Sequence, residues 1–290
     1  MHDLNYDLKN ICLMNKQGSH ATKAERYTNL SMIADQLLEL GYKLKGAASI
    51  KPKHIEALVQ RWKTEGLKVG TIKNRMAHVR FWAEKVGRKS ILKGDNAEYG
   101  IEQRRMHTQS KAQQLDLYKL TMISCPRIKM AIRLQAAFGL RREEALKFRP
   151  SLADQRDKIA LKATWTKGGR PRTIPITTER QRALLDEAHE LVGKGSMIPE
   201  DKNYIQQVGV YKHEVKNARM GKLHGLRHNY AQWRYKTLTG GMELANNGGK
   251  KYAAMTEEEK LMDTIAREQI SNELGHGRLD VVSNYLGGRS

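Results

Sequence analysis

Cysteine is scarce in this sequence: the only two, Cys12 and Cys125, are far apart and in no metal-binding spacing. Both have apolar neighbours at helical spacing, which indicates buried thiols and a reducing compartment. No apolar run approaches the ~20 residues that a membrane-spanning helix needs. Residues 1–10 are polar and charged, so we expect no signal peptide there. These absences predict a cytoplasmic protein without disulfides or membrane contact.

Glycine and proline, at 24 and 6 of 290 residues, are not abundant, and the sequence has no evident internal repeat or low-complexity tract. Disorder of the whole chain is therefore not expected. A hydrophobic share of 39% is sufficient for cores. The length suits two compact domains or one large one.

Acidic residues are too few to balance the basic ones: 31 aspartates and glutamates face 52 lysines and arginines, a net charge of +21. Such an excess repels itself and calls for a polyanionic partner. Nucleic acid fits best, because each phosphate that a basic side chain neutralises releases counterions. Composition alone also fits a basic protein without such a partner.

Residues 1–87 are predicted to form a helical domain. Three runs carry apolar residues at the spacing of one buried helix face, and glycines separate them. These runs are Leu30–Leu40, Ile55–Trp62 and Ile72–Val86. Basic residues are dense in the second half of the domain. We predict that Lys73, Arg75 and Arg80 contact DNA phosphates there, rather than only forming a solvated face.

The stretch 88–110 is polar and loses the helical period, which indicates a basic linker between domains. Within it, Arg104 and Arg105 are predicted to follow the DNA backbone.

Residues 111–290 mix helical and strand patterns. Short alternating runs on either side of Gly168-Gly169 predict a β-hairpin. Thr178 with Gln181 predicts the capped start of a helix. Apolar spacing predicts further helices at Leu115–Gly139, Tyr204–Ala218, His224–Tyr235 and Leu279–Leu286. The predicted fold class is therefore mainly α with a small β-sheet.

Four local clusters in this part could carry chemistry. They are Gly139-Leu140-Arg141-Arg142-Glu143-Glu144, Thr166-Lys167-Gly168-Gly169, His224-Gly225-Leu226-Arg227-His228, and Leu274-Gly275-His276 with Tyr285 nine positions later. Each alone is a weak pattern, because such residues are more often surface or core residues. Together and in this order they resemble the signature of the tyrosine recombinase, or phage integrase, family. The resemblance covers about Lys111 to Tyr285; residues 1–87 resemble the family's core-binding domain only in helix count and basicity.

The resemblance implies roles for six residues, with Tyr285 as the nucleophile that leaves a 3′-phosphotyrosine on DNA and a free 5′ hydroxyl. Arg141 and Arg227 would hold the nonbridging phosphate oxygens with paired hydrogen bonds. His224 and His276 would donate further hydrogen bonds or accept the phenolic proton, and the sequence leaves open which does which. The sixth residue, Lys167, would protonate the 5′ oxygen.

Other residues would support this set. Glu144 is expected to buttress Arg141, and His228 is either supporting or structural. Arg170 and Arg172 on the hairpin are predicted DNA contacts. No metal or other cofactor is expected, because the histidines are not at metal-ligand spacing and no carboxylate cluster resembles a two-metal nuclease site.

Two features depart from the family pattern. Arg227 and His276 are 49 positions apart, which is longer than the family leads us to expect. The extra residues fall around Thr239–Lys260 and predict a flexible loop before a helix that Thr256 and Glu259 cap. Their role, toward DNA, a neighbouring subunit or neither, stays open. Five residues follow Tyr285, where many relatives carry a helix that docks on the neighbouring protomer, so that mode of assembly is in doubt.

The resemblance implies a helical core-binding domain and an α+β catalytic domain (111–290) that form a clamp on double-stranded DNA. It also implies a homotetramer on paired recombination sites, with accessory DNA-bending proteins as further partners. The expected function is site-specific integration and excision of a mobile element. Three alternatives stay open: a Xer-type chromosome-dimer resolvase, a type IB topoisomerase that relaxes DNA as a monomer, and a non-catalytic DNA-binding protein.

Overall fold

A computed structural model describes residues 3–103 and 110–289. The chain divides into two compact units, Met1–Arg105 and Met106–Ser290. The division between them falls within the segment 88–110, which the sequence predicts as a linker. Arg104 and Arg105, two of the predicted DNA contacts, lie outside the described residues.

Within residues 3–103, the first unit has four α-helices. They are α1 (Asp3–Met14), α2 (His20–Glu39), α3 (Pro52–Thr64) and α4 (Val69–Lys85). Ser19 caps α2, since its hydroxyl accepts a hydrogen bond from the Thr22 amide. Trp62 and Trp82 are fully buried, and each indole N–H has an acceptor: the Gln36 side chain at 2.8 Å and the Ala47 carbonyl at 2.9 Å, respectively. Both buried indole N–H groups in this core are therefore paired with an acceptor.

The first half of the predicted linker packs on this core. Tyr99 and Ile101 are buried in it, and the Tyr99 hydroxyl accepts a hydrogen bond from the Lys93 amide at 2.9 Å. The chain here consists of extended stretches and two 3₁₀ helices, Lys89–Ile91 and Ala97–Tyr99. Because neither conformation has the α-helical period, apolar spacing did not reveal these core residues.

The second unit is mainly helical with one hairpin. Its elements are α5 (Leu117–Thr121), α6 (Pro126–Phe138), α7 (Arg142–Lys147), α8 (Pro150–Ala153), β1 (Lys158–Leu161), β2 (Arg172–Pro175), α9 (Glu179–Val192), α10 (Tyr204–Asn217), α11 (His224–Leu238), α12 (Glu257–Glu273) and α13 (Leu279–Leu286). The strands β1 and β2 are antiparallel, with Ile159 opposite Ile174. The predicted fold class is confirmed: mainly α with a small sheet.

Helix α11 is central to the second unit, because it packs on α6, α12 and α13. Its buried residues Leu226 and Tyr230 join Phe138 of α6 and Val282 of α13 in one core. Since α11 carries the His-x-x-Arg motif at its amino-terminal end, this packing also sets where that motif lies.

The inserted segment between α11 and α12 is structured. It contains the 3₁₀ helices Ala245–Asn247 and Tyr252–Ala254, and Leu244 is buried in the core of the second unit. The Thr256 hydroxyl accepts from the Glu259 amide and caps α12, as the sequence predicts. The expected flexible loop is therefore a packed connection.

Of the two cysteines, Cys12 is buried and Cys125 is half-buried, and both are free thiols. Across residues 3–103 and 110–289, no helix combines the length and the apolar character that crossing a bilayer would require.

Candidate active site

The structure brings six of the seven predicted catalytic and supporting residues into one cluster in the second unit. Arg141 and Glu144 lie at the start of α7, and His224 and Arg227 lie in the first turn of α11. His276 follows α12, and Tyr285 lies in the last turn of α13. We call this cluster of six residues the arginine–tyrosine site.

Arg227 is the buried cation of the site and is 1% exposed. Its guanidinium donates to the Gly139 carbonyl at 2.6 Å and to the Leu274 carbonyl. Its Nε lies 3.3 Å from the Tyr285 hydroxyl. Burial and the nearby Arg141 charge lower the pKa of Arg227 to about 10, so it stays charged at neutral pH. The two carbonyls therefore fix a cation directly beside the phenol.

Glu144 joins the arginines of the site. It is fully buried and accepts from the Arg141 side chain at 2.8 Å and from the Arg141 amide at 2.7 Å. It also accepts two hydrogen bonds from Arg172, at 2.9 and 2.7 Å. Burial raises the pKa of Glu144, but the charges of Arg172, Arg227 and Arg141 outweigh this and hold the pKa at about 2. One carboxylate thus faces three guanidiniums, which leaves a positive site for an anion.

Arg172 lies on the hairpin, as the sequence predicts, but its side chain points inward. We predicted a DNA contact for it; the side chain is 5% exposed and lies between Glu144 and the Glu273 carbonyl, which accepts from its Nε at 2.7 Å. The alternation of β2 explains this position, because Arg172 and the fully buried Ile174 lie on the same face of the strand. Applying that alternation to the sequence could have found this residue.

Tyr285 is 7% exposed, and three histidine rings surround its ring. The centroid of the His228 ring lies 4.5 Å away, that of His276 lies 5.3 Å away, and that of His224 lies 6.0 Å away. The Tyr285 hydroxyl lies 3.5 Å from His224 Nε2. His228, left undecided by the sequence, therefore packs on the nucleophile candidate. Its Nδ1 is buried and has no hydrogen-bond partner among the described residues.

The histidines are neutral at physiological pH. Burial, together with Arg227 and Arg141, lowers the pKa of His276 to about 3. Burial and the neighbouring His224 lower the pKa of His228 to about 4. Partial desolvation and the Arg227 charge also lower the pKa of His224. Because a neutral imidazole has one acceptor nitrogen, each can accept a hydrogen bond, whereas the positive environment disfavours full protonation.

Arg227 fixes the tautomer of His276. The Arg227 Nη2 atom lies 3.4 Å from His276 Nε2. Since a guanidinium only donates, Nε2 must accept, and Nδ1 then carries the proton. His276 is thus a hydrogen-bond donor through Nδ1.

Lys167 is the predicted catalytic residue that the structure does not bring into the cluster. It is exposed on the turn before β2, where Gly168 and Gly169 have φ values of 81° and 66°. It makes no hydrogen bond or ion pair with any residue that the structure describes.

Arg170, from the same turn, does reach the His276 loop. A Cβ atom added at Gly277 would lie 1.9 Å from the Arg170 guanidinium. The glycine therefore allows Arg170 to approach the loop backbone next to His276. Arg170 is exposed, as a DNA contact would be.

The predicted DNA contacts of the first unit differ in setting. Lys73 and Arg80 are seven positions apart on α4 and share a face. Arg80 donates to the Asn96 side chain at 2.8 Å. Arg75 instead packs over the Trp62 ring at 5.5 Å, and burial lowers its pKa. The three side chains therefore do not line one face, and their contacts with DNA stay predictions.

Comparison with family models gives two matches along the chain. Residues 1–92 match the model described as "Phage integrase, N-terminal", and residues 105–233 match the model described as "Integrase". No curated protein sequence matches the chain.

Several solved structures have the same fold. A lambda integrase dimer bound to a COC' core site gives a TM-score of 0.61 at 14% identity, covering 97% of this chain and 76% of that one. The Tn1549 transposon integrase in complex with circular intermediate DNA gives 0.59 at 14% identity, covering 99% and 96%. The XerH site-specific recombinase bound to a palindromic difH substrate gives 0.58 at 16% identity, covering 97% and 80%. At these identities the likeness establishes the fold.

Proposed function

Because the chain belongs to the tyrosine recombinase family, a family of DNA strand-transferring enzymes, we propose that it is a site-specific recombinase that cleaves and rejoins DNA through Tyr285. The observation that carries this proposal is the position of the Tyr285 hydroxyl. It lies 3.3 Å from Arg227 Nε and 3.5 Å from His224 Nε2, beside three guanidiniums that share one carboxylate. A phosphodiester that enters this site meets positive charge, a nucleophile and a proton acceptor together.

Arg141 and Arg227 stabilise the transition state in this proposal. Attack on phosphorus increases the negative charge on the nonbridging oxygens, and fixed guanidiniums bind that charge more strongly as it grows. Arg141 is 21% exposed at the side-chain level, so part of its guanidinium is free to meet a phosphate. Glu144 and Arg172 act by holding these cations in place.

His224 is the proposed base. Its Nε2 lies 3.5 Å from the Tyr285 hydroxyl, and the imidazole is neutral at physiological pH. It accepts the phenolic proton as the Tyr285 oxygen forms its bond to phosphorus. His276, protonated on Nδ1, donates a hydrogen bond to the phosphate.

The second half of the step breaks the bond between phosphorus and the 5′ oxygen. That oxygen is a poor leaving group and needs a proton, which we assign to Lys167. Because Lys167 is exposed and outside the cluster, its turn must move toward the site when DNA binds. The products are a 3′-phosphotyrosine and a free 5′ hydroxyl, and attack of another 5′ hydroxyl on that bond rejoins DNA without an energy cofactor.

The proposed biological role is integration and excision of a mobile element by a homotetramer on paired DNA sites. Two observations support it: the solved structures with the same fold include a transposon integrase on DNA and a lambda integrase tetramer bound to a Holliday junction. A Xer-type resolvase is the second candidate, since XerH has the same fold. Free Cys12 and Cys125 support a cytoplasmic location.

Two measurements test the proposal: which DNA end, 3′ or 5′, becomes joined to the protein, and whether cleavage needs a specific DNA sequence. The protein is incubated with labelled duplexes that carry the sequences flanking its gene and with a supercoiled plasmid that lacks them. We expect protein joined to 3′ ends on the flanking sequence alone. Relaxation of the plasmid would instead favour a type IB topoisomerase, and the absence of any adduct or nick would leave a DNA-binding protein without catalysis.

A further inference from the structure

The inserted segment reaches the end of the helix that carries Tyr285. The Asn247 amide donates to the Gln232 side chain at 3.1 Å, and Gln232 donates to the Tyr285 carbonyl at 3.1 Å. Asn246 lies against Gly287, where an added Cβ would be 3.2 Å from its amide nitrogen. One side chain thus separates the inserted segment from the backbone of the nucleophile candidate.

Gly287 and Arg289, which follow α13, contact α12. Arg289 donates to the Asp263 carboxylate at 2.9 Å and to the Thr264 hydroxyl at 2.7 Å. Arg267 donates to the Gly287 carbonyl at 3.0 Å. Asp263 is fully buried and also accepts a hydrogen bond from Arg267, so its carboxylate is held in place.

Tyr252 of the inserted segment covers the Arg289 side chain. The Arg289 guanidinium carbon lies 4.6 Å from the centre of the Tyr252 ring, which is a cation–π contact. Arg289 therefore lies between a buried carboxylate and an aromatic face, one from α12 and one from the inserted segment.

These contacts matter because α13 has only eight residues. A helix this short is not stable alone, and its last carbonyls lack intrahelical partners. Gln232 and Arg267 supply donors at that end, and the charges of Arg267 and Arg289 favour the negative end of the helix dipole. Tyr285 lies in the last turn, so these contacts set its distance from Arg227.

We propose that Tyr252, Asp263 and Arg289 form a clasp within one chain that holds α13 and positions the Tyr285 hydroxyl for attack. The inference rests on the proposed function, since it assigns the clasp to that cleavage step. Arg289 is a positioning residue, and the inserted segment completes the clasp through Tyr252.

Arg289→Ala tests the clasp without touching the arginine–tyrosine site. At saturating DNA we expect the single-turnover rate of adduct formation to fall about tenfold, which is the effect of losing one charge-assisted contact. The dissociation constant for DNA should not change. Arg289→Lys keeps a cation beside Asp263 and should recover most of the rate. Hydrogen exchange of the α13 amides should speed up in the alanine variant.

Three matched variants accompany it. Tyr252→Leu removes the aromatic face without unpairing Asp263, and should slow cleavage, whereas Tyr252→Phe should not. Lys250→Ala removes an exposed cation of the same segment that pairs with Glu259 and does not contact α13. It should cleave at the wild-type rate.

The outcomes separate the two proposals. Wild-type protein that forms no adduct overturns the proposed function, and the positioning role with it. Wild-type adduct with an equally fast Arg289→Ala variant overturns the clasp alone. A slow Arg289→Ala variant that lysine does not rescue, or that binds DNA more weakly in the same proportion, also overturns it, because the residue would then be merely structural.

Discussion

Glu144→Gln removes the carboxylate that three arginines share, and the structure gives the size of the effect. The pKa of Glu144 is about 2, against 4.5 for an ordinary glutamate. This difference corresponds to about 3 kcal/mol of folding stability at neutral pH. Glutamine keeps the shape but not the charge, so we expect a loss of about that size. Arg141 and Arg172 would also lose their fixed positions, and cleavage should slow.

The stability that Glu144 contributes should depend on pH in a direction that unfolding experiments can check. Because the folded-state pKa is depressed, the carboxylate contributes its full stability above about pH 4.5 and loses it as the pH falls toward 2. Urea unfolding of wild type and variant at several pH values measures this. The difference in the free energy of unfolding between wild type and Glu144→Gln should be largest near neutral pH and should decrease below pH 4.5.

Glu143→Gln is the matched control, since Glu143 is adjacent and 43% exposed and pairs with Lys147 on the surface. It should change stability by less than about 1 kcal/mol. A Glu144→Gln protein as stable as the control at neutral pH would mean that the shared carboxylate does not stabilise the fold.

Two further predictions concern proton transfer. Lys167→Ala should cleave ordinary DNA slowly, and its rate should largely recover when sulfur replaces the bridging 5′ oxygen. Arg227→Ala, which we expect to lose ~10²–10³ in rate, should not recover in this way. Equal impairment of Lys167→Ala on both substrates would rule out Lys167 as the acid and make Arg170 the next residue to test. The wild-type cleavage rate should reach half its maximum at a pH below 6.5, the ordinary pKa of histidine, because the pKa of His224 is lowered and its neutral form is the acceptor. A rate that already falls between pH 8 and 7 would contradict that assignment.

Local signals were sufficient to predict most of the second unit. Capping residues Thr178 and Thr256 mark the starts of α9 and α12 in the structure as in the sequence. The order of the motifs predicted a set of residues from α7, α11, α13 and the loop after α12, which the structure brings together. These signals work because caps and helix periodicity depend on neighbours a few residues away.

Long-range contacts were not predictable in the same way. Arg172 binds Glu144, which is 28 positions earlier, and no local pattern identifies that partner. Tyr99 and Ile101 join the first core through 3₁₀ turns that have no α-helical period. The inserted segment is rich in glycine and asparagine and looks like a flexible loop, yet its contacts with α13 and with Arg289 give it a fixed structure.

Trapping with a nicked suicide substrate shows whether Tyr285 attacks DNA. Denaturing electrophoresis separates the covalent adduct, and mass spectrometry of its proteolytic peptides identifies the linked residue. We expect a nucleotide on Tyr285 in the wild type. Tyr285→Phe should form no adduct while its DNA affinity is unchanged, and Tyr118→Phe, which alters an exposed tyrosine outside the site, should form a normal adduct. An adduct that persists in Tyr285→Phe, or that maps to another residue, would show that Tyr285 is not the nucleophile.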